Sequence, residues 1–324
     1  MKKKILGTSE LMVSEFCLGG MNFGWKDPVE SSIERLEQFV EAGGNFIDTA
    51  NVYSRREAEG MDFYGKDFDK YVDGTSERLI GDWVKDKGNR HNLVIATKVG
   101  FPYPGIQSGT SAAQIKTECE KSLNRLQTDY IDLFYLHMDD RNTPIEESLS
   151  ALTDLVKEGK VRYIGVSNFT AWRLARALEI ADRYSFAKPC CVQQKHSYLR
   201  PKTGSNFGKQ VAANNEMFEL AKESNLALLA YSPLIKGYYG NPAKGLPEQY
   251  AGPDSDARMS VLCNVAKELN TTNTQIVYNW LVNSSPSVIP IVASSNKEQF
   301  CEALDSLNLE LSPEQINQLN NAGI

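Results

Sequence analysis

Eight times along its 324 residues the chain alternates a short apolar run with a longer amphipathic one. The apolar runs are "FCLGGM" (16–21), "FIDTA" (46–50), "LVIATKV" (93–99), "IDLFYLHM" (131–138), "VRYIGVSN" (161–168), "CVQQKHS" (191–197), "LALLAYSP" (226–233) and "SVIPIVA" (287–293). Their apolar continuity suits strands buried on both faces, as in a parallel sheet. The runs between them have helical spacing. Leu149, Leu152, Leu155 and Val156 fall on one face, with Gly159 as a stop. Ser111 is an N-cap for a helix that turns Ile115, Leu123 and Leu126 inward. Gly43 and Gly44 suit a left-handed helix end. "NKEQFCEALDSL" and "SPEQINQLNNAG" read as the last helices.

Alternation of this kind predicts an α/β fold with right-handed crossovers. Eight units in about 300 residues match a (β/α)8 TIM barrel, here with a short N-terminal hairpin over "KKKILGTSELMVS" and extra C-terminal helices. We expect one barrel domain over residues 1–324. The competing arrangement is a doubly wound open sheet, whose first turn would carry a GxGxxG phosphate loop. The first turn here reads "GGMNFG", which lacks that spacing.

The net charge of −6 argues against a nucleic-acid partner, which needs a basic footprint. No run approaches the roughly 18 apolar residues of a membrane span, and the basic "MKKK" start lacks the apolar stretch of a signal peptide. The six cysteines form no CxxC and read as reduced thiols of a cytoplasmic protein. No metal site is expected. The expected partner is a small molecule.

Barrel enzymes place their chemistry at strand C-termini and in the loops that follow. Three such loops exceed plain connectors: Ser54 to Gly74, Leu199 to Ala213 and Lys236 to Asp256. The strand ends carry Asp48, Lys98, His137, Ser167, Asn168, Gln193 and His196, and Tyr53 follows five residues after Asp48. Each has an ordinary reading: a turn aspartate, a lysine reaching for water, a packed histidine, a packed tyrosine. Taken together, an acid, a lysine, a histidine and a tyrosine from successive barrel positions make one constellation.

That set suits proton transfer to a carbonyl oxygen. A phenol titrates near 10 and is a poor acid at neutral pH; a neighbouring ammonium lowers that value. Lys98 would supply the ammonium, Asp48 would keep it charged despite burial, and His137 as a neutral imidazole would orient the substrate oxygen. Tyr53 would be the general acid.

The same segments resemble the aldo-keto reductase superfamily over nearly the whole chain. "FIDTANVYS" resembles the family's Asp-to-Tyr segment, "VIATKVG" its lysine strand, "IDLFYLHMDD" its histidine strand, and "EGKVRYIGVSNF" its serine-asparagine signature. The resemblance implies a nicotinamide cofactor, NADPH with NADH as the alternative. Ser167 and Asn168 would hold its carboxamide. "AYSPLIKG" resembles the pyrophosphate loop, which implies contacts from Tyr231, Ser232, Pro233, Leu234, Lys236 and Gly237. "ASSNKEQF" resembles the segment that grips the adenosine phosphate, which implies Ser295, Asn296, Gln299 and Glu302. Gly19, Gly20 and Met21 would lie near the reacting ring, and Gln193 beside it.

Three positions depart from the family pattern. His196 stands where a tyrosine often stacks on the nicotinamide, and the resemblance still implies a stacking role for it. Ala293 replaces a frequent glycine, and Ala303 a common adenine-contacting asparagine. The implied activity is NAD(P)H-dependent reduction of an aldehyde or ketone, with a sugar-like substrate suggested by the polar loops. Two other functions compete with it: an NADPH-binding regulatory module, and an aldolase using Lys98 as a Schiff base.

Overall fold

The computed structural model describes residues 1–54, 74–103, 105–294 and 296–323. Strands β1 (Lys3–Ile5) and β2 (Met12–Ser14) pair antiparallel as the expected hairpin. Eight parallel strands then close on themselves: β3 (Cys17–Gly19), β4 (Phe46–Asp48), β5 (Val94–Val99), β6 (Ile131–Leu136), β7 (Val161–Ser167), β8 (Pro189–Lys195), β9 (Ala227–Tyr231) and β10 (Val288–Val292). Each pairs with its neighbour in sequence, and β10 returns to β3 through Ile291↔Cys17. Closure excludes the open doubly wound sheet. The chain is a (β/α)8 TIM barrel.

Helices α1 (Val29–Glu41), α2 (Thr75–Lys87), α3 (Ala112–Leu126), α4 (Ile145–Lys157), α5 (Ala171–Tyr184) and α6 (Asn215–Glu223) follow β3 to β8 in turn. The connection after β9 runs through the long segment from Lys236 and then holds two α-helices, α7 (Pro253–Glu268) and α8 (Asn273–Asn283). Helices α9 (Lys297–Asp305) and α10 (Pro313–Asn321) end the chain as expected. Local capping explains several starts. Ser111 accepts from the Gln114 amide, and Thr272 with Gln275 forms a capping box at α8.

The core has two compartments, and strand parity sorts residues between them. Ile47, Ile95, Phe134, Leu136 and Val166 face outward, onto the helices. Phe46, Val94, Ala96, Leu133, Tyr135, Cys191 and Leu229 face inward and fill the barrel. The hairpin residues Leu6, Leu11 and Val13 join the inner set and plug its floor. Successive strand residues alternate faces, so every second residue beyond these inner ones also points inward. From Phe46 this reaches Asp48, from Ala96 Lys98, from Tyr135 His137, and from Leu229 Tyr231.

Gly165 on β7 has a local reason. A Cβ there would lie 2.6 Å from the Tyr135 ring, so only glycine admits that buried phenol.

Candidate active site

Parity delivers Asp48, Lys98 and His137 to one rim, and the loop after β4 adds Tyr53. That loop is pinned on both sides. The Thr49 and Asn51 amides donate to Ala96 and Lys98 carbonyls of β5, and the Ser76 amide of α2 donates to the Tyr53 carbonyl at 3.1 Å. Asn51 also donates to Glu118 on α3, which accepts from Tyr103 as well. The tyrosine is therefore presented by a braced turn.

Lys98 is fully buried. Its ammonium donates to Asp48 Oδ2 at 2.5 Å, to the Thr49 carbonyl at 2.7 Å and to the Tyr53 hydroxyl at 3.2 Å. All three donors of the ammonium are thus used. The second Asp48 oxygen accepts from Gln193 Nε2 at 2.9 Å. Such pairing is what a buried ion pair requires, since burial opposes both charges. Burial acts to lower the Lys98 pKa, but Asp48 and Tyr53 outweigh it and hold the ammonium above its ordinary value. Burial raises the Asp48 carboxyl, with Lys98 and Gln193 pulling against it.

Tyr53 differs from the sequence-based expectation. Burial pushes its hydroxyl above the ordinary phenol value, and Lys98 only moderates that rise while Asp48 adds to it. The tuning expected from Lys98 is present in sign and smaller than desolvation. His137 stands beside Tyr53, with ring centroids 5.9 Å apart at 79°. Burial, then the Lys98 charge, depresses the imidazole well below the usual histidine range, so it is neutral at working pH. Among the described residues its buried Nδ1 has no hydrogen-bond partner, unspent capacity on the ring beside Tyr53.

A cleft of about 1570 Å³ opens over these groups and runs across the barrel mouth toward β10. Gly19, Met21, Asp48, Tyr53, His137, Ser167, Asn168, Gln193, Tyr231, Ser232, Pro233, Leu234, Lys236, Gly237, Gln299 and Glu302 all line it. Lys98 lies behind the wall. Gly20 donates its amide to the Asp48 carbonyl at 2.8 Å and braces that strand end from behind. Asn296 caps α9 by accepting from Gln299. Ser295 falls outside the described residues.

His196 is the clear departure. It is absent from the cleft wall and packs instead against Phe218 at 5.0 Å and Trp280 at 6.0 Å. Parity is the reason: Cys191, Gln193 and Lys195 share the inner face of β8, so residue 196 turns outward. The aromatic ring that does line this part of the cleft is Tyr231, whose hydroxyl donates to Asn168 Oδ1 at 2.7 Å. Asn168 is also more committed than expected. Its amide nitrogen donates to the His137 carbonyl and Ser167 Oγ, while its oxygen accepts from Tyr231 and the Val211 amide. Of the two departures from family pattern near the adenosine segment, Ala293 lines the cleft and Ala303 is core.

Several cleft residues had no strong sequence signal: Phe101, Lys195, Lys209, Lys244 and Thr272. Period-two register from Gln193 reaches Lys195. The others depend on loop paths. Lys195 is half-buried, and burial followed by the Lys236 charge lowers its pKa. Among the described residues no carboxylate pairs with Lys195, Lys236 or Lys244. Residues Ser232 to Gly237 turn through left-handed conformations at 232, 235, 236 and 237, a backbone concavity of the kind that cradles anions. At the far end Ser294 has a buried hydroxyl without a partner among the described residues. Cations without acids, a left-handed loop and orphaned polar atoms along one groove fit an elongated, polyanionic ligand such as a dinucleotide.

Comparison with known proteins decides the family. The aldo/keto reductase family model matches residues 15–324. The chain belongs to that family. It is 30% identical to an uncharacterized oxidoreductase, YrpG, of Bacillus subtilis, over 99% of this chain and 95% of that one. It is 32% identical to the norsolorinic acid reductase stcV of Emericella nidulans, over 95% of this chain and 78% of the relative. It is 29% identical to an NADP(+) aryl-alcohol dehydrogenase of Phanerodontia chrysosporium, over 96% and 82% respectively. Membership of this aldo-keto reductase family supports oxidoreductase chemistry on a carbonyl or alcohol, with a nicotinamide cofactor. No helix among the described residues is long and apolar enough to cross a membrane.

Proposed function

We propose that the protein is an NAD(P)H-dependent carbonyl reductase in which Tyr53 is the general acid. The observation that carries this is the chain Asp48–Lys98–Tyr53, bonded at 2.5 and 3.2 Å, ending beside a neutral His137 at the floor of the cleft. A cofactor bound in the groove supplies a hydride to the carbonyl carbon. The carbonyl oxygen gains negative charge as its π bond opens, and Tyr53 gives that oxygen its proton. Lys98 then faces a phenolate, so its attraction for Tyr53 strengthens as the transition state forms. That differential is why a hydroxyl with a raised resting pKa still serves as an acid. Asp48 keeps Lys98 charged, and His137 donates to the same oxygen and sets its direction.

The wall offers places for each part of the cofactor. Ser167 and the side-chain amide of Gln193 suit a carboxamide, with the saturated Asn168 as their support. Tyr231 presents a ring for stacking. Ser232, Pro233, Leu234, Gly237, Lys236 and Lys195 suit the diphosphate, and Ser294, Asn296, Gln299 and Glu302 the adenosine end. NADPH is the preferred form, in keeping with the lysines along the groove and the NADP(+) relative. The sugar-like substrate suggested by the polar loops rests largely on residues 55–73, outside those described.

The test is consumption of NADPH and NADH against a panel of aldehydes, ketones and sugars, in the wild type and in Tyr53→Phe. Loss of turnover by about 10³-fold with cofactor affinity retained is expected for removal of a general acid. Turnover within about tenfold of wild type in Tyr53→Phe would remove the acid role, since acid catalysis is worth at least 10².

A further inference from the structure

The charges of the cleft are lopsided in a chain of net charge −6. Among the described residues six lysines line it, against two carboxylates: Asp48, bound by Lys98 and Gln193, and Glu302, bound by Thr272. Lys236 and Lys244 lie together after β9, and the Lys236 charge is felt by Lys195, so these three serve the cofactor side. Lys209 is placed differently. It comes from the long loop after β8 and reaches across to the loops after β5 and β6. There its ammonium donates to Ser108 Oγ at 2.9 Å and meets Met138 Sδ at 3.7 Å.

No carboxylate among the described residues pairs with Lys209. Asp140 is within range of its field but is already held by the Thr110 and Asn142 amides and the Thr143 hydroxyl. The ammonium stands 6.0 Å from the Phe101 ring, and that ring packs edge-on against His137 at 4.5 Å. Even laid end to end, these distances keep Lys209 within the reach of a substrate a few carbons long that has its carbonyl at His137 and Tyr53. Phe101 lies between, as an apolar surface for the body of such a substrate. Trp25 lines the same cleft with the Lys26 ammonium 4.6 Å over its ring, a second cation on the mouth.

We propose that this site takes carbonyl compounds bearing a carboxylate, with Lys209 binding the carboxylate, Phe101 packing on the substrate body and Lys26 adding to the attractive field at the mouth. The proposal rests on the reductase reading given above. It assigns Lys209 to substrate selection and gives it no part in the proton transfer. A fixed cation beside an apolar face favours an anion over its neutral isostere through both encounter and retention.

The experiment compares 4-carboxybenzaldehyde with methyl 4-formylbenzoate, matched in shape and differing in charge. At low ionic strength the acid should have kcat/KM about tenfold or more above the ester, with the gap shrinking at 0.5 M NaCl as screening sets in. In Lys209→Gln the acid-to-ester ratio should fall toward one, with the loss in KM for the acid. An ester equal to or better than the acid in wild type, or a ratio unchanged by Lys209→Gln, overturns the proposal. If neither aldehyde is reduced, calorimetry of terephthalate with the NADP(+)-loaded protein decides separately. Binding weakened about tenfold by Lys209→Gln keeps the anion site and sinks the reductase reading; no binding, or binding indifferent to Lys209, sinks the anion site.

Discussion

Two clusters in this molecule contain nearly the same chemical groups. At the cleft floor a buried ammonium, a phenol and an imidazole meet as Lys98, Tyr53 and His137. On the outer side of β8 a buried guanidinium, a phenol and an imidazole meet as Arg258, Tyr198 and His196. They differ in how the cation is used. Lys98 aims its donors at a carboxylate and at the phenol oxygen, so its charge acts on that proton. Arg258 lies over the face of Tyr198 at 4.1 Å and spends its donors on the Tyr198 and Ala322 carbonyls. The outer Tyr198 hydroxyl is pushed up to about 12, chiefly by burial, and donates to a backbone carbonyl. The inner cluster opens on a cleft; the outer one ties the chain end to the barrel. Possession of the groups is therefore not enough. The direction of the donors and access to a ligand separate a site from a structural lock.

The comparison breaks most visibly if the two phenols are swapped in importance. Tyr198→Phe should keep kcat/KM within about twofold of wild type, since its hydroxyl touches no reacting atom, while Tyr53→Phe loses about 10³-fold. Equal losses would mean that Tyr53 acts through packing alone.

The two cations give the next test. Lys98→Met leaves Asp48 buried and unpaired, which should destabilise the protein by about 3–5 kcal/mol and abolish most turnover. Arg258→Met strips two buried carbonyls of a donor, at about 1–3 kcal/mol each, and should leave kcat unchanged in the folded protein. Urea unfolding beside steady-state rates reads both. A fall in kcat for Arg258→Met, with folding intact, would erase the distinction drawn here.

The smallest effect concerns the histidines. Burial, with help from Arg258, lowers His196 from 6.5 to about 4. A histidine held neutral in the folded state binds fewer protons than in the unfolded chain, so stability falls as pH drops from about 6.5 toward 4. The ceiling for one such group is about 3 kcal/mol, less here because the ring is only partly buried. His196→Phe should flatten that part of the urea-midpoint profile by up to one proton's worth, leaving the share due to His137. An identical slope in the variant would show that His196 is protonated freely in the folded protein.

Much of the architecture was legible because it rests on short-range rules. All eight barrel strands lie within or against the runs read from apolar continuity, and Ser111 caps its helix as its side chain predicts. Asp48, Lys98 and His137 were legible as polar residues at the ends of apolar strands, and Tyr53 by its spacing from Asp48. His196 was misplaced because a motif likeness was followed past the strand end without counting faces. From Gln193 the count gives Lys195 inward and His196 outward. Lys209 and Phe101 carried no such signal, since their positions depend on the paths of loops that cross the mouth.

The sequence by itself determined the eightfold repeat, the barrel and the list of polar residues at its strand ends, because hydrophobic period and capping act over a few residues. The closed tertiary structure decided what those residues do. Closure sets which parity faces the interior, and that turned Lys98 onto Tyr53 and His196 away from the cleft. It also set a phenol's resting acidity by burial against charge, a balance that depends on Lys98 of β5 and Cys17 of β3, distant in the chain, as well as on Asp48. The same closure brought a lysine from the loop after β8 to face the groups at the ends of β5 and β6.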